Sequence, residues 1–156
     1  MKTRLAMLKP AVVLLCALSA GTALAVGTAD DLIKARQDAM KGNADALAAL
    51  VSIVRGVQPY DPAAVQASLA KMSANLATET QGNLWDPTTQ QGSAVQTRAL
   101  PTIWQNPQGF TDAQKGLEEA IAAVGGSTDM TTFKAAFPKL GTACKSCHET
   151  FRAPEG

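Results

Sequence analysis

Several residue types are scarce in this chain, and each scarcity excludes something. Histidine occurs once in 156 residues, at His148, and cysteine three times, at Cys16, Cys144 and Cys147. Aromatic residues make up only 4%. No apolar run reaches the roughly 20 residues that a membrane-spanning helix needs. Neither sign of charge dominates: 14 Lys and Arg stand against 13 Asp and Glu, a formal net of +1. That balance gives no electrostatic case for nucleic acid, and with 46% hydrophobic residues the composition is not that of a disordered chain. Strand-like alternation, internal repeats and charge runs are all missing. Alanine, the best helix former, is abundant. The length suits one domain with a sizeable core.

The first residues read as an address. Lys2, Arg4 and Lys9 make a basic start, Ala11 to Leu18 an apolar stretch, and Ala23-Leu24-Ala25 places small residues at −3 and −1 of a cleavage site. This is the pattern of a secretory signal peptide over residues 1–25. An uncleaved anchor would need a longer apolar run, and a lipoprotein would need a small residue where Leu15 precedes Cys16. Cleavage leaves a single domain of residues 26–156 with no membrane anchor. Its 11 basic and 13 acidic residues give a net of −2, and Cys144 and Cys147 are its only cysteines. Export points to an oxidising compartment, in a bacterium the periplasm.

Periodicity predicts four helices, in an all-α antiparallel four-helix bundle. From about Thr28 to Val57, Ile33, Met40, Leu47 and Val54 recur every seventh residue, with Arg36, Asn43, Leu50 and Val57 three further on. One half of that stripe is polar. A core-facing arginine needs a partner, so the end bearing Arg36 is either frayed and wet or meets something anionic. Asp61-Pro62 marks the start of a second helix, running to about Thr80 with Val65, Leu69, Met72 and Leu76 on one face. Residues 81–99, rich in Gly, Thr, Gln, Asp and Pro, read as a long crossover. A third helical segment spans about Pro101 to Val124, with a kink or break near Asn106-Pro107. The last begins at Thr128 or Asp129, and its stripe is Met130, Phe133, Phe137, Leu140, Cys144, Cys147 and Phe151, with a bend expected at Pro138.

Cys144-Lys145-Ser146-Cys147-His148 is a C-x-x-C-H string. Two thiols at this spacing can add to the two vinyl groups of a haem, and the adjacent imidazole can reach the iron. The only mature cysteines and the only histidine all fall inside it. A thiol–disulfide oxidoreductase would want the cysteine pair at a helix N-terminus in a βαβ setting. Structural zinc would want a fourth ligand. A disulfide across so short a loop would leave the histidine unexplained.

With these residues in place, the chain resembles the class II c-type cytochromes, the cytochrome c′ family, over essentially its whole mature length. Arg36-Gln37-x-x-Met40 matches a pattern of the family's first helix, and Cys144-Lys-Ser-Cys-His-Glu-Thr-Phe-Arg152 its C-terminal signature. The resemblance implies one covalent haem c inside the bundle, held by Cys144 and Cys147, with His148 as proximal iron ligand. It also implies Arg36 and Gln37 at the haem propionates or rim and Arg152 beside the proximal histidine. Its partners would be redox proteins, with a diatomic gas in one branch of the family. Bundles of this type often pair through helix faces, so a homodimer belongs to the expectation.

The sixth iron position has few occupants to choose from. One histidine excludes bis-histidine ligation within a chain. Met130 lies about four turns before the cysteines on the same helix, roughly 20 Å away. Met72 falls in an apolar core stripe. Met40, one turn beyond Arg36, is the candidate. The family divides here between a low-spin branch with methionine sulfur on the iron and a five-coordinate, high-spin branch able to bind nitric oxide or carbon monoxide. A methionine at this position occurs in both. Met40-Lys-Gly-Asn43, Pro59-Tyr-Asp61 and the C-terminal signature look closer to the low-spin branch, an electron carrier and not an enzyme. Trp85, in the crossover, reads as a surface clamp.

Overall fold

The computed structural model describes residues 27–154; the expected signal peptide lies outside them. The chain forms α1 (Ala29–Val54), α2 (Pro62–Gln81), a short α3 (Thr102–Gln105), α4 (Pro107–Gly125) and α5 (Met130–Phe151). A single 3-10 turn, Pro87–Gln90, interrupts the long crossover between α2 and α3. The described residues contain no strand, only an isolated antiparallel bridge between Ala99 and Arg152. No helix among them is long and apolar enough to cross a membrane. The expected all-α bundle is thus observed, with α1, α2, α4 and α5 as its four long helices.

Local chemistry sets each helix start. Thr28 caps α1 in a reciprocal box, its hydroxyl accepting from the Asp31 N–H at 3.2 Å while the Asp31 carboxylate accepts from the Thr28 N–H at 2.9 Å. Asp61 caps α2 with Pro62 at the first helical position. Asn106 ends α3 and caps α4, accepting from the Gly109 N–H at 3.0 Å, with Pro107 next. The break expected in the third segment is therefore complete: two helices stand where one kinked helix could have been. Asp129, the second of the two caps considered, starts α5 in a box with Thr132. The helix continues through Pro138 as one element.

The expectation for α1 needs two corrections. The helix stops at Val54, three residues early, because Arg55 is its cap and Gly56 follows at φ +72, a left-handed geometry that glycine adopts without strain. Val57 is consequently 71% exposed and not a stripe residue. The stripe is observed at Ile33, Arg36, Asn43 and Leu50, all buried, but Ala39, Ala46 and Ile53 are buried where Met40, Leu47 and Val54 are only half-buried.

α1 packs against α2 and α4 against α5, and α2 and α4 join the two pairs. The apolar core is divided. One cluster, with Leu50, Ile53, Val65, Leu69, Val124, Phe133 and Leu140, fills the end where α1 finishes and α2 and α5 begin. A smaller one, Ile103, Phe110 and Phe151 with Trp85, Trp104 and Cys147, closes the opposite end. Side chains do not fill the space between them.

Candidate cofactor site

The last two turns of α5 carry Cys144, Cys147 and His148, at i, i+3 and i+4 and therefore on one helix face. All three are half-buried, and both cysteines are free thiols. They form one wall of two adjoining cavities that, with their solvent-open mouths included, span about 780 and about 900 Å³. Met40 of α1, Phe110 of α4, Cys147, His148 and Arg152 line both; Cys144 lines the larger. The larger is mostly apolar, bounded by Leu47, Met72, Leu76 and Leu117. Apolar walls with a few convergent polar groups suit a small-molecule or cofactor site. The half-burial of Met40 has its cause here: it borders this space, while Leu47 borders it and also packs against the core cluster.

Electrostatics separate the possible chemistries. Burial pushes the Cys144 thiol up, and burial, then the charges of Glu79 and Cys144, push Cys147 up to about 11. A thiol–disulfide oxidoreductase needs the reverse, a thiol acidified at a helix N-terminus, whereas this pair sits at a helix C-terminal end. Burial, then the positive charges of Arg152 and Arg98, lower the His148 pKa, which favours the neutral, metal-ligating imidazole. Among the described residues no group of three His, Cys, Asp or Glu side chains is arranged to hold a bare metal ion.

Arg36 is 3% exposed and is not at a frayed, wet end. Its Nη1 donates to the Leu84 carbonyl at 3.1 Å and the Thr89 hydroxyl at 2.8 Å, and its Nη2 to the Thr89 carbonyl at 2.8 Å and the Thr97 hydroxyl at 2.9 Å. The guanidinium stacks 4.7 Å from the Trp85 ring centroid and 5.9 Å from that of Trp104. Burial draws its pKa down to about 10, opposed by the negative charge of Glu79. Both Nη groups are thus committed to the crossover, although the side chain still lines the smaller cavity. Gln37 lines it as well and donates to the Gln96 carbonyl at 2.7 Å.

The crossover is a wall of the site. Asp30 accepts from Ser93 Oγ and the N–H groups of Ala94 and Val95, at 3.0 to 3.1 Å. Its far end is zipped to the residues following the C-x-x-C-H string: Leu100 N–H donates to the Phe151 carbonyl at 2.9 Å and Ala153 N–H to the Arg98 carbonyl at 2.8 Å. Trp85, expected as a surface clamp, instead lines the smaller cavity and meets Phe110 edge-on at 4.8 Å.

The candidate residues therefore converge: Cys147, His148, Met40 and Arg152 border the same space, with Arg36 and Gln37 along its rim. Sequence reasoning missed Glu79, Thr89, Thr97 and Arg98. The unpartnered Arg36 was the one signal that pointed to an acceptor set. Two half-buried thiols one turn apart, a neutral imidazole beside the second and a thioether on the facing helix suit a covalently attached haem, and the apolar walls suit its macrocycle.

Comparison with known proteins agrees. The family model described as Cytochrome C' matches residues 31–152. A cytochrome c-554 of Cereibacter sphaeroides is 33% identical over 123 residues, 78% of this chain and 80% of that protein. A cytochrome c-556 of Rhodopseudomonas palustris is 34% identical, over 86% of this chain and 91% of that one. The crystal structure of cytochrome c' from Thermochromatium tepidum superposes with a TM-score of 0.74 at 25% identity, covering 83% of this chain and all (100%) of the other. A nitric oxide complex of a point mutant of cytochrome c prime from Alcaligenes xylosoxidans superposes with a TM-score of 0.70 at 26% identity, covering 81% and 97%. The chain belongs to the cytochrome c′ family of class II c-type cytochromes, haem proteins of electron transfer and gas binding whose cofactor is covalent haem c.

Proposed function

We propose that this protein is a periplasmic monohaem electron carrier, not an enzyme, in which His148 and Met40 would hold the iron. The observation that carries this reading is that Met40 of α1 and His148 of α5 face the same two cavities across the bundle. Haem, once bound, supplies one-electron exchange at iron. Cys144 and Cys147 would hold it to one turn of α5 as thioethers, which would give the adjacent imidazole a set position. Lowering of the His148 pKa keeps a ring nitrogen free of a proton for the metal. The Met40 thioether, a soft neutral donor, would complete the ligand set and favour the ferrous state. Arg152, one turn past His148, places positive charge beside it, and Arg36 and Gln37 hold the crossover against the rim. Redox proteins are its partners. Residues 1–25 would direct export, and residues 26–156 would form the mature domain.

A second reading has a specific observation behind it: a solved relative carries nitric oxide. In that reading Met40 would pack beside the haem without bonding the iron, and a diatomic gas would bind in its place. The absorption spectrum of the purified holoprotein, oxidised and reduced, with and without carbon monoxide, separates the two. Expected is a low-spin spectrum with a sulfur-to-iron band and sluggish gas binding. A high-spin spectrum that responds readily to gas would replace the first reading by the second, and a colourless protein matured with haem available would sink both.

A further inference from the structure

Four buried side-chain atoms among the described residues lack a hydrogen-bond partner, and three gather at one place: Glu79 Oε1, Trp85 Nε1 and Gln114 Nε2. Buried polar atoms are rarely left so, and an acceptor with two donors around a shared space is the arrangement that holds water. Glu79, on the last turn of α2, is 3% exposed. It lines the larger of the two cavities and also an outer groove of about 1030 Å³, as do Phe110 and Gln114, while Trp85 lines the groove and the smaller cavity. The Glu79 carboxyl therefore stands in the partition between the cofactor space and a groove leading to solvent.

We propose that Glu79, with Trp85 and Gln114, forms a proton-binding site that takes up one proton from solvent through the outer groove when the haem is reduced. This rests on the electron-transfer reading above. The step balances simply. The iron passes from ferric to ferrous on accepting one electron from a redox protein or an electrode, and the Glu79 carboxylate accepts one proton, forming an O–H bond. The added negative charge is thereby neutralised inside the bundle. Reduction removes a positive charge from the neighbourhood of the carboxylate and so raises its proton affinity. In the cofactor-free chain burial already pushes the Glu79 pKa up to about 7, opposed by the Arg36 charge and the Trp85 indole.

The groups facing Glu79 can be named element by element. Arg36 approaches from α1, but its Nη hydrogens are committed to Leu84, Thr89 and Thr97. Cys147 of α5 feels the Glu79 charge and stops titrating once it is a thioether. Trp85 of the crossover and Gln114 of α4 bring neutral donors. Arg36 and Trp85 act on Glu79 most directly, while His148 and Arg152 line the same cavity.

The test is the midpoint potential of the holoprotein against pH, by spectroelectrochemistry, in wild type and Glu79→Gln. The wild-type potential should fall across the neutral range, at its steepest by about 59 mV for each tenfold fall in proton activity. Glu79→Gln should be flat over that range. An equal slope in the variant would overturn the proposal. Should Glu79→Gln fail to mature, the wild type still decides through its reduced-minus-oxidised infrared spectrum. A protonated-carboxyl band that shifts with isotopically labelled glutamate is expected, and its absence would overturn the proposal as well. Failure of the electron-transfer reading looks different: the untitrated wild type would show a high-spin spectrum that responds readily to carbon monoxide, whereas failure of this proposal alone leaves a low-spin protein whose potential does not depend on Glu79.

Discussion

At the scale of single residues, the site depends on how a buried cation and a buried acid are accommodated without a close ion pair. Arg36 satisfies its charge with two carbonyls and two hydroxyls of the crossover and with the faces of two indoles. Such hydrogen bonds to a charged donor are stronger than neutral ones, and cutting them leaves acceptors stranded in a dry interior. Arg36→Leu should therefore destabilise the folded protein by about 3–5 kcal/mol, read as a lower urea midpoint. The loss should grow with pH. Glu79 carries a pKa raised from 4.5 to about 7 in the fold, so its contribution is fully present below 4.5 and is lost as pH rises through about 7. Removing the one cation that opposes this shift worsens the alkaline side. A variant whose deficit is the same at pH 5 and pH 8 would contradict the coupling of Arg36 to Glu79.

At the scale of elements, the crossover does more than join two helices. Asp30 and Arg36 of α1 grip it at two points, and the bridge between Ala99 and Arg152 ties it to the end of α5. Gly92 permits the first grip: a Cβ there would collide with the Asp30 carboxylate and the Val95 carbonyl. Gly92→Ala should therefore loosen residues 92–97, seen as faster amide hydrogen exchange there with the four long helices unchanged. Unaltered exchange would show that the segment holds its place without this contact. The helices themselves were largely legible in the sequence, because apolar periodicity and the Asp61-Pro62, Asn106-Pro107 and Asp129 signals are local. The end of α1 was not, since Val57 continues a seven-residue pattern that the turn at Gly56 cuts off. Glu79 was not legible either. An acid on a helix ordinarily faces water, and the groups around this one come from other elements: Arg36 of α1, Phe110 and Gln114 of α4, and Trp85 in a loop with no periodicity to read.

At the scale of the whole molecule, the bundle is built as a packed end and a hollow end. Leu50, Phe133 and Leu140, each 0% exposed, anchor the first; Phe110 and Phe151 cap the second. The hollow lies where α5 presents Cys144, Cys147 and His148 and where α1 turns Met40 inward. The C-x-x-C-H string was readable because its chemistry is fixed by spacing alone. The facing wall was readable in part: Met40 emerged from the heptad pattern and from the distance that removes Met130, while the crossover's share emerged only in three dimensions. Stability and iron ligation should separate on this plan, because the packed end holds the helices together whatever side chain reaches the metal.

Met40→Ala, purified as holoprotein, tests the central claim most directly. The variant should keep its covalent haem and its helix content, lose the sulfur-to-iron band, change from low to high spin and bind carbon monoxide readily. A low-spin spectrum unchanged from wild type would contradict ligation by Met40.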